Sequence, residues 1–225
     1  MVKVKLSSYI LFIMSCLFYN CAYALYIDTD ISSMEADKEF FSKPYINDTK
    51  TKNLYSFSAY KIDRPGGHEV GEEIRNGEII FTPLKKILLP KEQEFFKIFY
   101  RGKVDEQERY YKVIISETPF EAQNSVAQKK SPLFYPTISL ETYFVVRPKQ
   151  PNFKYESDPV EGVLKNTGNT YFRVILHDSC QVSEDETPDV FYLLPQQEYR
   201  DARLKKKSRK YIVIFDKYHS IGNCE

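Results

Sequence analysis

A chain of 225 residues with 32 Lys+Arg, 31 Asp+Glu and a formal charge of +1 lacks the positive field that a polybasic nucleic-acid or membrane-surface function needs. Hydrophobic residues at 42% suffice for a core, and 15% aromatics with only 8 Gly exclude low-complexity disorder. Three His and four Cys leave little material for metal or nucleophile chemistry.

In chain order, the first element is an export signal. Lys3 and Lys5 precede an apolar run over residues 6–18, and Ala22-Tyr23-Ala24 is the small-x-small pattern that a signal peptidase reads, so residues 1–24 are expected to be cleaved off after Ala24. The run falls short of the roughly 18–20 apolar residues that span a bilayer, which argues against membrane insertion. Phe18-Tyr19-Asn20 lacks the small residues expected before a lipidated Cys21. The mature chain has 30 bases and 31 acids.

The rest reads as short strands, apolar, β-branched and aromatic runs cut by Pro, Gly, Asn and Asp. Strands are predicted over residues 25–31, 40–46, 54–62, 78–82, 86–89, 94–100, 109–116 and 138–146. Asp63-Arg64-Pro65-Gly66-Gly67 is a strong breaker, and residues 121–130 are a polar stretch. A helical stripe is only weakly visible, around residues 33–41. Pro148, Pro151 and Pro159 mark a domain boundary, giving domains over 25–147 and 148–225. The second predicts strands at 162–166, 170–177, 190–194 and 211–215, and Asn166-Thr167-Gly168-Asn169 predicts a tight hairpin, since Asn and Gly tolerate positive φ. The spacing suits antiparallel β-sandwiches.

Cleavage removes Cys16 and Cys21 and leaves Cys180 and Cys224. In an exported chain these are expected to form one disulfide, against the alternative of two free thiols. His68, His177 and His219 have no partners at metal-ligand spacing, and His177-Asp178-Ser179-Cys180 reads as a polar loop rather than a catalytic set, because triads are assembled from distant segments. No phosphate-binding glycine loop or nucleophile elbow is present, so the reading is a non-enzyme with no cofactor and no metal. The basic tract over residues 205–210 reads as a solvated hairpin turn between strands rather than a nucleic-acid site.

Six stretches, in order, carry a resemblance: EIIFTPLKKILLP at 78–90, EFFKIFYR at 94–101, DEQERYYKV at 105–113, Glu117-Thr118-Pro119, ISLETYFVVRP at 138–148 and LKNTGN at 164–169. With these the chain resembles the periplasmic chaperones of the chaperone–usher pilus pathway, in particular the branch of the E. coli common pilus. The resemblance implies an all-β fold of two immunoglobulin-like β-sandwich domains in a boomerang arrangement. It also implies a function, capping pilus subunits in the periplasm and delivering them to an outer-membrane usher. A pilin is a sandwich missing one strand; a chaperone strand inserted in the gap supplies main-chain hydrogen bonds and alternate apolar side chains.

The implied donor strand is 134–144, where residues two apart share a face. Phe134, Ile138 and Leu140 are expected to fill the subunit's groove, and Pro136 fits an edge strand; the alternative is that these residues pack only in the chain's own core. The resemblance also implies an Arg on the first strand and a Lys on the seventh as anchors for the subunit's terminal carboxylate. This sequence departs there: residues 25–31 hold Asp28 and Asp30 and no base, and Tyr143 stands at the Lys position. Topology suggests Lys61, Arg109 and Arg147 instead, at strand ends facing the second domain, where Lys112 also falls. Two other readings are a secreted or pilus-tip β-sandwich adhesin and, weakest, an exported hydrolase. The mid-chain place of the alternating strand favours the chaperone.

Overall fold

The computed structural model describes residues 31–35, 37–66, 69–74, 77–120, 137–181 and 186–224. The leader and its expected cleavage site, Phe134, Pro136, the stretch 121–130, His68 and all but the end of the expected first strand lie outside these residues.

Period-two alternation builds the first sandwich. Along β3 (Asn53–Ile62), Asn53, Tyr55 and Phe57 are buried and the residues between them are not; along β8 (Arg109–Pro119), Tyr111, Val113 and Ile115 are buried in the same way. The larger sheet runs β1 (Ile31–Met34), β9 (Ile138–Val146), β8, β3, β4 (Gly71–Glu73), with β6 (Lys85–Leu88) also on β3. The smaller sheet runs β2 (Phe40–Ile46), β7 (Gln93–Tyr100), β5 (Ile79–Thr82). Between them lies an aromatic core in which the Tyr45 ring sits 5.5 Å from Tyr55, 5.2 Å from Phe57 and 6.0 Å from Phe96. Each such side chain contributes about 1.5–3 kcal/mol by leaving water.

The second sandwich pairs β10 (Tyr155–Asp158), β11 (Val163–Asn166) and β14 (Glu198–Arg200) with a sheet of β13 (Asp189–Leu193), β12 (Phe172–Leu176), β15 (Lys210–Ile214) and β16 (Lys217–Ser220). Leu164, Phe172, Val174, Leu176, Leu193 and Ile212 fill it. A short helix, α1 (Ala202–Lys205), is capped by the Asp201 side chain and adds Leu204 to the core. Cys180 and Cys224 form a disulfide with Cα atoms 5.6 Å apart, tying the end of the chain to the loop after β12. Among the described residues no helix is long and apolar enough to cross a membrane.

The structure corrects several expectations. The weak helical stripe at 33–41 is two strands joined by a turn that Lys38 N closes on Glu35 O. The tight hairpin at Asn166–Asn169 is absent, because β11 and β12 belong to different sheets. Asn166 Nδ2 donates to Thr170 O and Leu193 O at 2.9 Å, and the amides of Thr167 and Gly168 donate to Lys154 O, so the turn is fastened across the sandwich. Gly168 is needed there for closeness, since a Cβ would meet Asn152 O at 2.0 Å. The basic tract is not a solvated hairpin turn: it runs from α1 into β15, with Ser208 and Lys210 buried and Lys210 Nζ donating to Lys206 O at 2.6 Å. Strands β4, β10, β14 and β16 escaped prediction because they are short and mostly exposed, with no apolar alternation to mark them.

Two stability outcomes follow. Tyr45 is fully buried and its hydroxyl has no hydrogen-bond partner among the described residues, so Tyr45→Phe should raise the unfolding free energy, by about 1 kcal/mol, in urea titration. Replacing Cys180 and Cys224 together by Ser frees a loop of 44 residues' separation and should cost up to roughly 4 kcal/mol on the chain-entropy scale, read as a lower urea midpoint that added reductant no longer shifts.

Candidate functional site

Strand β8 pairs with β9 along its whole length, from Glu117 opposite Ile138 to Arg109 opposite Val146. On the other side β1, described from Ile31 onward, runs parallel and pairs with Tyr143–Val146. Leu140, Phe144 and Val146 face the first core, where Phe144 and Val146 are buried and Leu140 is half-buried. Ile138 shares their face but is 49% exposed. Its partner Glu117 is buried in a polar cluster, accepting from Asn53 Nδ2 at 2.8 Å and Tyr55 OH at 3.0 Å, so the apolar core ends beneath Ile138.

At the opposite end of the sheet, the registers of Ile62 with Tyr110 and of Arg109 with Val146 bring the end of β3, the start of β8 and the end of β9 together. Lys61 and Arg109 share a cavity of about 680 Å³ with Glu78, Arg101 and Lys103. Both already face a carboxylate: Lys61 Nζ lies 3.4 Å from Glu78, and Arg109 forks onto both oxygens of Asp105 at 2.7 and 2.6 Å. The Arg109 fork holds the Asp105 carboxyl down at about 2.

Arg147 is not with them. It is 5% exposed and donates from Nη1 to Thr170 Oγ1 at 2.6 Å and Tyr171 O at 3.3 Å, with its guanidinium carbon 4.3 Å from the Tyr171 ring centre and 5.1 Å from that of Phe215. Beside it Glu108 accepts from Tyr110 OH at 2.6 Å, from the Tyr171 amide at 3.1 Å and from the Thr170 hydroxyl. Val145, Tyr171 and Leu194 complete an apolar seam with Ile31, Tyr110 and Tyr192. Residues from both sandwiches thus meet here.

Sequence reasoning passed over a third cluster. Lys112 lies directly across from Tyr143, both project from the β8–β9 face opposite the core, and both bind Glu69. Only the strand register shows this pairing, and Glu69 lies on a distant loop. Among the described residues no group of three His, Cys, Asp or Glu side chains is placed to hold a metal ion.

The protein "Probable fimbrial chaperone EcpE" of Escherichia coli O157:H7 is 34% identical to this chain over 196 residues, covering 85% of the chain and 81% of that protein. The chain belongs to the fimbrial chaperones. No protein-family model matches it. Among solved structures, the Pseudomonas aeruginosa CupB2 chaperone superposes with a TM-score of 0.56 at 14% identity, over 87% of this chain and 98% of that one. The class 5 fimbriae chaperone CfaA gives 0.54 at 14% identity, over 90% and 95%. These likenesses bear out the fold, two immunoglobulin-like sandwiches.

In this chaperone the seam between sandwiches carries a pH signature. Burial pushes the Glu108 carboxyl above its usual range, outweighing the hydrogen bonds from Thr170, Tyr110 and the Tyr171 amide and the pull of Arg147. A carboxyl whose folded pKa is raised contributes stability that is full below its unfolded value and is lost as pH rises through the folded one. Wild type should therefore lose stability relative to Glu108→Gln as pH rises from about 4 toward neutrality, by urea unfolding at each pH; parallel curves would mean that Glu108 does not titrate in this window.

Proposed function

We propose that this chaperone caps pilus subunits in the periplasm by lending them the Ile138 end of β9, and then passes them to an outer-membrane usher. Membership in the fimbrial chaperones supports the reading. The observation that carries it is Ile138, 49% exposed on the same face of β9 as Leu140, Phe144 and Val146, which turn into the core. Such a strand offers main-chain hydrogen bonds to a second β-sheet, while alternate side chains enter its groove. Ile138 gains most, on the order of 1.5–3 kcal/mol if fully buried. Leu140 gains less because it already packs on its own core. Phe134 completes the groove-filling set on the sequence reading alone.

The free energy of capping is that of binding, so the process needs no catalysis, cofactor or nucleotide. We place the chaperone in the periplasm, with the leader cleaved after Ala24, and divide the mature chain into 25–147 and 148–225. Arg147 then ends the first domain and secures it to the second. Of the other two bases expected to anchor a subunit's carboxylate, Lys61 and Arg109 front a cavity where an incoming anion competes with Glu78 and Asp105.

Coexpression of a pilus subunit with the wild-type chain should yield a soluble complex from periplasmic extracts. Ile138→Asp should lower subunit recovery about tenfold or more, while leaving the urea midpoint of the isolated chaperone unchanged because Ile138 is exposed. Undiminished recovery with Ile138→Asp would refute a donor role for this edge.

A further inference from the structure

Alternation along β12 turns Phe172, Val174 and Leu176 into the second core, so Arg173 projects from the opposite face of the strand. An arginine so placed ordinarily meets water. Here the first sandwich covers it. Ser33 of β1 and Arg147 close over Tyr171, Arg173 and Phe215, leaving a cavity of about 220 Å³ at the joint between the sandwiches.

Both guanidiniums line this cavity incompletely partnered. Arg147 commits Nη1 to Thr170 and the Tyr171 carbonyl, and Glu108 meets its charge at 3.9 Å. Its Nε is buried and has no hydrogen-bond partner among the described residues. The Arg173 Nε is buried and unpartnered in the same way, and no carboxylate of the described residues forms an ion pair with that guanidinium. Asp216 stands on the cavity wall but pairs with neither arginine. A buried N–H without an acceptor is costly, most of all on a charged group. Two of them on one small cavity, from arginines of different sandwiches, point to an acceptor shared by both.

Charge and shape select that acceptor. Water can satisfy an N–H but leaves the Arg173 charge unmet beside Arg147, whereas an anion answers both needs. A guanidinium presents its donors as a rigid planar fork that matches the oxygens of phosphates and carboxylates. A carboxylate offers its acceptors in one plane. A tetrahedral oxyanion offers them in several directions, which suits two forks arriving from separate strands.

We infer that Arg147 and Arg173 form a site for a small tetrahedral oxyanion, phosphate or sulfate, that bridges the two sandwiches. The ion accepts from both Nε groups, neutralises Arg173 and ties the end of the first sandwich to the middle of the second. Arg147 is preorganised for it, held by Thr170 and stacked on Tyr171. Arg173 supplies the charge that Glu108 does not offset. The ion is a ligand of the chaperone itself and requires no bound subunit.

The test titrates the full mature chain with sodium phosphate by calorimetry, with sodium chloride keeping the ionic strength constant, and follows thermal unfolding in parallel. Wild type should bind phosphate saturably, sulfate should compete, acetate should not, and the unfolding midpoint should climb with phosphate concentration. Arg173→Met, which keeps the bulk and removes the fork, should weaken binding about tenfold or more. It should retain only the shallow rise in midpoint that any excluded salt produces. Arg173→Lys, which keeps the charge without the fork, should fall between the two. Lys61→Met, at the other basic cavity, should match wild type. Equal rises in wild type and Arg173→Met would assign the effect to bulk salt and overturn the site. Competition by acetate as strong as by sulfate, loss of binding in Lys61→Met, or no saturable binding by either measurement would overturn it as well.

Discussion

The architecture depends on how β9 is held. It is bonded to β8 over its full length, and β1, described from Ile31 onward, bonds its last four residues. Full pairing at the far end lets Phe144 and Val146 close the first core and Val145 reach the seam with the second sandwich. At the near end Ile138 lies above a core that has already given way to the Glu117, Asn53 and Tyr55 cluster.

Much of this was legible in the residues. Strands β2 and β9 fall where alternation places them, since each has one face in a core and one outside. The pairing of Cys180 with Cys224 is the one expected if a cleaved leader leaves an exported chain with two cysteines. What failed has physical causes. Asn166 and Gly168 look like a hairpin turn by type, but their amides and side chains are used across the sandwich, and residue identity does not encode a partner thirteen or more positions away. Strands such as β10 and β16 have all four residues exposed, so no periodicity marks them.

The charged residues teach the same lesson more sharply. Placing Lys61, Arg109 and Arg147 at one end of the sheet was sound topology, yet they do two different jobs. Lys61 and Arg109 answer local carboxylates, and Arg147 is enclosed between two sandwiches. Strand order fixes the end of the sheet at which a side chain lies; parity and register fix the face. Lys112 was visible as a nearby base, but its pairing with Tyr143 and Glu69 exists only once β8, β9 and the Gly66 loop are assembled.

Arg147 follows directly on β9, with the guanidinium locked among Thr170, Tyr171 and Phe215 while Ile138, at the opposite terminus of the same ribbon, is exposed. One extended stretch of backbone thus runs from the exposed Ile138 to the fastening of one sandwich on the other. Under the proposed capping, a pull at the Ile138 end is carried with little slack to Arg147.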